Sequence, residues 1–258
     1  MFRHFLFSLC LFFLPLNVSA GTSCDQPSMT PELIAAATDK ALEVRAYLNE
    51  IKPIVGILAR VGSDVSKYGM YYTHLGFVLK QPGDTEWSVI HLLNACGTAT
   101  SRIYEQGLAN YFLDDLLNMD AKVVIPTPAL QKKLAVVLAS SKIVTFHNPS
   151  YSMIAYPFST QYQNSNQWAL ELLASALHDA KERKQAQDYL KATNYKPAKI
   201  AISGLSKIGA HLFKSNVSFS DHPENEGTNG KYSVVTVDSI VEYLKSQQLV
   251  SAEKEFRN

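Results

Sequence analysis

Two histidines lie on apolar stretches that flank a Pro-Gly-Asp turn, His74 in YYTHLGFVLK and His91 in WSVIHLL. Their alternating pattern is typical of a β-hairpin. A turn centred between Pro82 and Gly83 predicts that His74 and His91 face each other directly, with Cβ atoms about 4.5–5.5 Å apart. Imidazole titrates near neutral pH and offers bare ring nitrogens, so a facing pair favours acid–base chemistry or a metal. The alternative is two hydrogen-bonded core histidines, and a bulge near the turn would separate them.

A candidate nucleophile begins a helix later in the chain. Trp168, Leu172 and Leu173 start an apolar repeat at helical spacing, which predicts a buried helix from about Ser165 with Asn164 or Ser165 as its cap. The free N–H groups and positive dipole at such a helix start stabilise an anionic nucleophile or an oxyanion. Serine is also a preferred cap, so Ser165 is either the nucleophile or a plain helix cap.

Other familiar chemical motifs are missing from the sequence: there is no phosphate-binding glycine loop, no CxxC pair, no HExxH helix and no G-x-S-x-G elbow. A zinc site remains an alternative, with His74 and His91 joined by Asp114, Asp115 or His222. These residues lack a tight ligand spacing. We therefore expect neither a metal nor a cofactor.

Polar residues near these candidates supply possible binding groups. Ser63 and Asp64 lie in the polar segment 61–67 that leads into the hairpin, and Asn164 and Asn166 flank Ser165. Clusters such as Ser63 and Asp64 are also typical of turns, because their side chains hydrogen-bond to the nearby backbone.

The remaining segments predict an α+β protein with an antiparallel sheet, in which the hairpin is central and packs against helices. A Thr30-Pro31-Glu32 start predicts a helix to about Glu50, followed by a strand over Ile54 to Ala59. Further along we expect these elements: a helical or irregular stretch over Arg102 to Asp115, a strand over Ala121 to Ile125, a helix from Pro128 to about Ala139, a strand over Ile143 to Phe146, amphipathic segments at 182–192 and 205–213, a strand over Tyr232 to Val237, and a helix over Ser239 to Ser246.

The first 20 residues predict a secretory signal peptide. Arg3 precedes an apolar core over Phe5 to Pro15, and Val18-Ser19-Ala20 matches a small-x-small cleavage site. The apolar core is too short to span a bilayer, and no later stretch approaches the roughly 20 apolar residues of a membrane helix. We expect cleavage after Ala20, no lipid anchor, no stable membrane insertion, and a single domain over 21–258 in the periplasm or outside the cell.

The charge balance limits which partners the mature chain can recruit, and the cysteine content limits its thiol chemistry. Removal of Arg3 from the 24 basic residues leaves them equal to the 23 acidic ones, so no basic field is available to recruit nucleic acid. Cys24 and Cys96 survive cleavage, and in an oxidising compartment two thiols are more often a disulfide than a catalytic centre. We expect neither to be the nucleophile.

Three motifs resemble those of the circularly permuted papain-like proteins, which include NlpC-type cell-wall amidases and the lecithin retinol acyltransferase group. They are His74-Leu-Gly-Phe-Val, Val89-Ile-His91-Leu, and Asn164-Ser165-Asn166 at a helix start. The resemblance implies a permuted papain-like fold, with His74 as general base, His91 as the residue that orients it, and Ser165 at the nucleophile position. That superfamily has cysteine there. A thiol is readily converted to a thiolate, whereas a serine hydroxyl needs concerted removal of its proton.

The chain as a whole resembles an uncharacterised exported bacterial family, domain of unknown function 2145, from about Cys24 to Leu244. The segments RVGSDVSKY, HLLNACG, YQNSN and FSDHP carry this resemblance. Two functions remain open. The first is a cell-envelope hydrolase or acyltransferase that acts on an amide, ester or thioester. The second is a catalytically silent module that binds an envelope peptide, glycopeptide or acyl ligand.

Overall fold

The computed structural model describes residues 29–81, 83–114, 116–203 and 215–257. The predicted signal peptide, Cys24, Pro82, Asp115 and the predicted segment 205–213 lie outside the described residues. The helices are α1 Pro31–Ile51, α2 Leu108–Leu113, α3 Pro128–Leu138, α4 Lys142–Thr145, α5 Ser165–His178, α6 Arg183–Ala192, α7 Glu224–Asn229 and α8 Val237–Ser246. The strands are β1 Val55–Arg60, β2 His74–Leu79, β3 Ser88–Asn94, β4 Ser101–Gly107, β5 Ala121–Pro126, β6 Ala198–Ala201, β7 Lys231–Val234 and β8 Val250–Phe256.

Helix α1 begins and ends as its sequence predicts. Thr30 accepts a hydrogen bond from the Leu33 N–H at 3.2 Å, and Pro31 occupies the first helical position, where a missing N–H costs nothing. Lys52 adopts the left-handed conformation, with φ at 53°, and its N–H closes the last turn on the Leu48 carbonyl.

Six strands form one antiparallel sheet in the order β4-β3-β2-β1-β5-β8, and β6 pairs with β7 in a separate small sheet. The β2–β3 hairpin lies between β4 and β1, inside the sheet. The molecule is therefore an α+β protein with a central hairpin, as the sequence predicts.

Helices cover both faces of this sheet. Side chains alternate along β1 and β2, so that Leu58 and Val78 pack toward α1 and α2, whereas Ile57 and Phe77 pack toward helices α3, α5, α6 and α8. Every residue of β1 and β2 is buried. This two-sided cover explains why both strands carry apolar residues at consecutive positions instead of alternating with polar ones.

The hairpin register differs from the predicted one. Phe77 pairs with Ile90 and Val78 with Val89, and continuing this ladder by one residue places Gly76, not His74, opposite His91. Gly83 adopts a positive φ of 92°, so the chain reverses one residue later than a turn centred between Pro82 and Gly83 would. The prediction that the two histidines face each other directly is wrong.

Two further segments differ from the prediction. Residues 101–107 of the stretch expected to be helical or irregular form edge strand β4, and the short helix α2 follows. The expected strand over Ile143 to Phe146 is instead the short helix α4, Lys142–Thr145. Strands β6 and β8 were not expected from the sequence.

Candidate active site

Ser165 is the first residue of α5, and Asn164 caps this helix. The Asn164 Oδ1 accepts the Gln167 N–H at 2.7 Å, so the Ser165 side chain is not needed for capping. The first N–H groups of a helix have no partner within it. The N–H groups of Ser165 and Asn166 consequently remain beside the Ser165 hydroxyl as donors at the positive end of the helix dipole.

His74 is the first residue of β2, and its imidazole joins Ser165 to His91. Its Nδ1 lies 3.3 Å from the Ser165 Oγ, and its Nε2 lies 2.8 Å from the His91 Nδ1. The other ring nitrogen of His91 lies 2.9 Å from the Gln106 Oε1. Four side chains from α5, β2, β3 and β4 thus form one continuous hydrogen-bonded line, which we call the relay: Ser165, His74, His91 and Gln106.

The two imidazoles meet diagonally across the hairpin, because His91 lies opposite Gly76. Their ring centroids are 5.1 Å apart, with an angle of 66° between the planes. Tyr111 of α2 packs against both rings, with centroid distances of 5.1 Å to His91 and 6.1 Å to His74. The Tyr111 hydroxyl donates to the Leu58 carbonyl at 2.9 Å, so this ring is fixed and holds the histidines in place.

Burial and a nearby cation keep both histidines neutral. Burial, and then the guanidinium of Arg60, hold the pKa of His74 well below its usual value. The same two causes lower the pKa of His91 to about 4. Arg60 pairs with His74 across the β1–β2 ladder, and its guanidinium donates to Asp114 Oδ2 at 2.8 Å. The site therefore favours uncharged imidazoles.

Two more polar side chains, those of Tyr151 and Asn166, belong to the site. The side chain of Tyr151, whose pKa burial raises to about 12, hydrogen-bonds with Ser165, so its phenol stays protonated and can donate. Asn166 donates to the Thr73 carbonyl at 3.0 Å, which ties the first turn of α5 to the residue before His74. This contact keeps the nucleophile candidate and its candidate base in one position relative to each other.

A buried carboxylate holds the chain that leads into α5. Glu171 is fully buried and accepts from the Arg183 Nε at 2.8 Å, from the Gln163 Nε2 at 2.6 Å and from the Gln187 Nε2 at 2.7 Å. Arg183 also donates to the carbonyls of residues 159, 160 and 162, in the irregular segment 156–163. Irregular backbone lacks the internal partners of a helix or strand, so these donors satisfy its carbonyls, and Glu171 indirectly fixes the approach to Ser165.

Some residues proposed from the sequence lie elsewhere. Asp64 accepts from the backbone N–H and the hydroxyl of Ser66 at 3.0 and 2.6 Å, which is turn geometry. Within the described part of the chain, neither Ser63 nor Asp64 hydrogen-bonds to the relay. Cys96 follows β3 in a loop and is disulfide-bonded, while its expected partner Cys24 lies outside the described residues.

The structure does not assemble the alternative zinc set. His222 hydrogen-bonds to Glu226 at 2.9 Å and to the Ile154 carbonyl at 2.7 Å, while Asp114 binds Arg60. Asp115 lies outside the described residues. Among the residues described, no group of three His, Cys, Asp or Glu side chains has the arrangement of a metal site.

Gln106 and Tyr151 are among the site residues that the sequence did not predict. The stretch that contains Gln106 is predicted to be helical or irregular, although the β-branched Ile103 and the aromatic Tyr104 are residue types that strands favour. Tyr151 lies in an irregular passage whose position depends on tertiary contacts alone, such as its bridge to Gln163. No local pattern could have identified it.

The fold and the site together define an α+β protein with a Ser-His-His-Gln relay at a helix start, in which the serine and both histidines are buried. A family described as uncharacterized protein conserved in bacteria (DUF2145) matches residues 47–244, which contain the whole relay. The chain belongs to this family. No curated protein and no solved structure matches the chain significantly. In the described residues, no helix is long and apolar enough to cross a membrane.

Proposed function

We propose that this protein is an exported hydrolase or acyltransferase of permuted papain-like type, in which Ser165 is the nucleophile and His74 the general base. The observation that carries the proposal is the 3.3 Å approach of the Ser165 Oγ to the His74 Nδ1, at the N-terminus of a 14-residue helix. A helix start beside an imidazole is an arrangement that activates a nucleophile and stabilises an oxyanion.

In the proposed reaction, the Ser165 Oγ attacks the carbonyl carbon of an amide, ester or thioester while its proton passes to the His74 Nδ1. The negative charge that develops on the carbonyl oxygen is stabilised by the N–H groups of Ser165 and Asn166 and by the hydroxyl of Tyr151. Collapse of this intermediate breaks the bond to the leaving group, which takes the proton from His74. A water molecule or a second acceptor then releases the acyl group from Ser165 by the same steps in reverse.

The substrates proposed are peptides, glycopeptides or acyl compounds of the cell envelope, because the signal peptide predicted at residues 1–20 directs the chain to the periplasm or outside the cell. The near balance of acidic and basic residues gives no electrostatic reason to propose nucleic acid as a partner.

A second candidate function is a catalytically silent module that keeps the cleft and binds the same class of ligand. It is favoured by the lowered pKa of His74, which burial and Arg60 cause, because a weaker base removes a serine proton less readily.

A fluorophosphonate probe distinguishes the two candidates, because it reacts only with an activated serine. The enzyme hypothesis expects covalent labelling at Ser165, absent in Ser165→Ala and reduced about 10²–10⁴-fold in His74→Ala. His178→Ala, which changes an exposed histidine at the end of α5, is the matched control and should be labelled like the wild type. A folded wild-type protein that the probe does not label would overturn the enzyme hypothesis and favour the binding module.

A further inference from the structure

Gln106 ends the relay on an edge strand. Its Oε1 lies 2.9 Å from the His91 Nε2, and β4, which carries it, pairs only with β3 among the strands that the structure describes. Gln106 is half-buried, whereas His91 is fully buried. Among the described residues, no hydrogen-bond partner holds the Gln106 Nε2. The side-chain amide can therefore rotate by about 180° and present either its oxygen or its nitrogen to His91.

In the relay, which atom donates and which accepts in one hydrogen bond determines which atom donates and which accepts in the next. A neutral imidazole carries one N–H and one bare nitrogen, so a ring that donates at one end must accept at the other. All four ring nitrogens of His74 and His91 are engaged in the relay. The relay therefore has only two consistent directions.

In the forward direction, the Gln106 oxygen accepts from the His91 Nε2–H. The bare Nδ1 of His91 then accepts from the His74 Nε2–H, and the bare Nδ1 of His74 accepts the Ser165 hydroxyl proton. In the reverse direction, the Gln106 amide N–H donates to His91, and the His74 Nδ1 carries a proton that points at Ser165. Only the forward direction leaves a base beside the hydroxyl.

We propose that Gln106 is a positioning residue that sets the direction of this relay, and that a half-turn of its amide switches Ser165 between a base-assisted and an unassisted state. The inference rests on the proposed function, because the two states differ in reactivity only if Ser165 is the nucleophile. The positions of the protons can nevertheless be measured without any reaction. Burial and Arg60 lower the pKa of both histidines, so neutral tautomers, rather than an imidazolium, define the relay near neutral pH.

The exposed side of the amide makes the switch responsive to a ligand. A carbonyl oxygen placed against the Gln106 Nε2 would accept from it and hold the forward direction. A donor placed there would compete for the Gln106 oxygen and favour the reverse. A substrate that offers a carbonyl along the free edge of β4, as an extended peptide does, would therefore promote the base-assisted state.

The test uses ¹⁵N NMR of the imidazole nitrogens in the full-length protein. In the wild type we expect His74 and His91 to carry their protons on Nε2. Gln106→Glu presents only acceptor oxygens, so it should keep these tautomers and raise the titration midpoint of His91 by about one pH unit, because a carboxylate favours the charged ring. Gln106→Leu fixes neither direction and should give a mixture of tautomers. Gln185→Glu makes the same exchange at an exposed site on α6 and should change neither histidine.

A wild-type His74 with its proton on Nδ1, or a Gln106→Leu protein with unchanged tautomer populations, would overturn the inference. Labelling of Ser165 by the fluorophosphonate supplies a second measurement, and Gln106→Leu should slow it about tenfold or more while Gln106→Glu should rescue it. Tautomers that follow Gln106 in a protein that is never labelled would retain the relay and reject the proposed enzyme function. Labelling that is unaffected by Gln106→Leu would reject the inference and retain the enzyme.

Discussion

His91 lies across the hairpin from Gly76, and no other residue type fits opposite this histidine. A Cβ atom at position 76 would come within 2.5 Å of the Val89 Cγ1 and 2.9 Å of the His91 Cβ. The absence of a side chain at Gly76 lets His91 lean toward His74 and reach it diagonally. The glycine that follows His74 by two residues is thus part of the site, although it carries no functional group.

Gly76→Ala should therefore destabilise the protein and disturb the relay together. We expect a loss of about 1–3 kcal/mol in the free energy of unfolding, because the new methyl group must displace a buried strand, together with slower labelling of Ser165. Gly107→Ala is the matched control, since no atom lies within 4 Å of a Cβ added there, and it should change stability by less than about 0.5 kcal/mol. Urea denaturation measures the free energy of unfolding of both variants, and equal losses in the two would contradict the steric argument.

Ser165→Cys should create an unusually reactive thiol. The N-terminus of α5 and His74 both favour a thiolate at this position, so alkylation by iodoacetamide at pH 7 should exceed that of an exposed cysteine introduced as Ser251→Cys. The added substitution His74→Ala should slow the reaction. A thiol at position 165 that reacts no faster than the one at 251 would remove the support for an activating site.

The stability of the protein should depend on His91 between pH 4 and 6.5. His91 is neutral when folded, because burial and Arg60 lower its pKa to about 4, whereas an unfolded histidine titrates near pH 6.5. In this window the unfolded state binds the extra proton, so the free energy of unfolding falls as the pH falls. The wild type should lose up to about 1.4 kcal/mol per pH unit more than His91→Asn.

Urea denaturation at several pH values measures these slopes. The exposed His178→Asn should retain the slope of the wild type. A His91→Asn protein with that same slope would show that His91 does not titrate in this window.

Glu171→Ala should be much more damaging than loss of a surface carboxylate. It leaves the buried Arg183 without its partner, for which we expect a cost of about 3–5 kcal/mol, and it releases the segment 156–163 that leads to Ser165. Asp188→Ala removes an exposed partner of Lys184 on α6 and should cost less than about 1 kcal/mol. Thermal denaturation compares the two, and a Glu171→Ala protein as stable as Asp188→Ala would show that the buried pair is dispensable.

The mature chain should begin at Gly21 and be recovered from the periplasm or the medium. N-terminal sequencing of the exported protein tests cleavage after Ala20, and a chain that still begins at Met1 or carries lipid on Cys24 would contradict it.

Titration of free thiols in the unreduced protein tests the expected bridge between Cys24 and Cys96. Two readily alkylated thiols would show that these cysteines are not paired.

The sequence predicts the parts of the site that local patterns encode. The apolar repeat from Trp168 determines where α5 begins, and alternation around His74 and His91 determines the hairpin, so three members of the relay could be named from sequence. The register could not, because it depends on where one glycine in the turn adopts a positive φ.

The parts that were missed depend on tertiary pairing. Strand β4 and strand β8, with the sequence V-S-A-E-K-E-F, lie at the two edges of the sheet, where one side of each strand meets solvent and polar residues interrupt the apolar pattern. Segment 142–145 is rich in β-branched residues, yet it continues from α3 through a tight turn as a short helix. Local propensity is too weak to decide such segments.

The two-sided cover of the sheet gives the protein a built-in pair of optical probes. The chain has two tryptophans, and one lies in each apolar layer: Trp168 of α5 packs on the side of the sheet that α3, α5, α6 and α8 cover, and Trp87 packs on the side of α1. Their indole N–H groups donate to different partners, the Ile143 carbonyl and the Asn49 side chain. Replacing either tryptophan with phenylalanine leaves tryptophan emission from one layer alone, so spectra excited selectively at tryptophan can report whether the two faces of the sheet unfold together or one after the other.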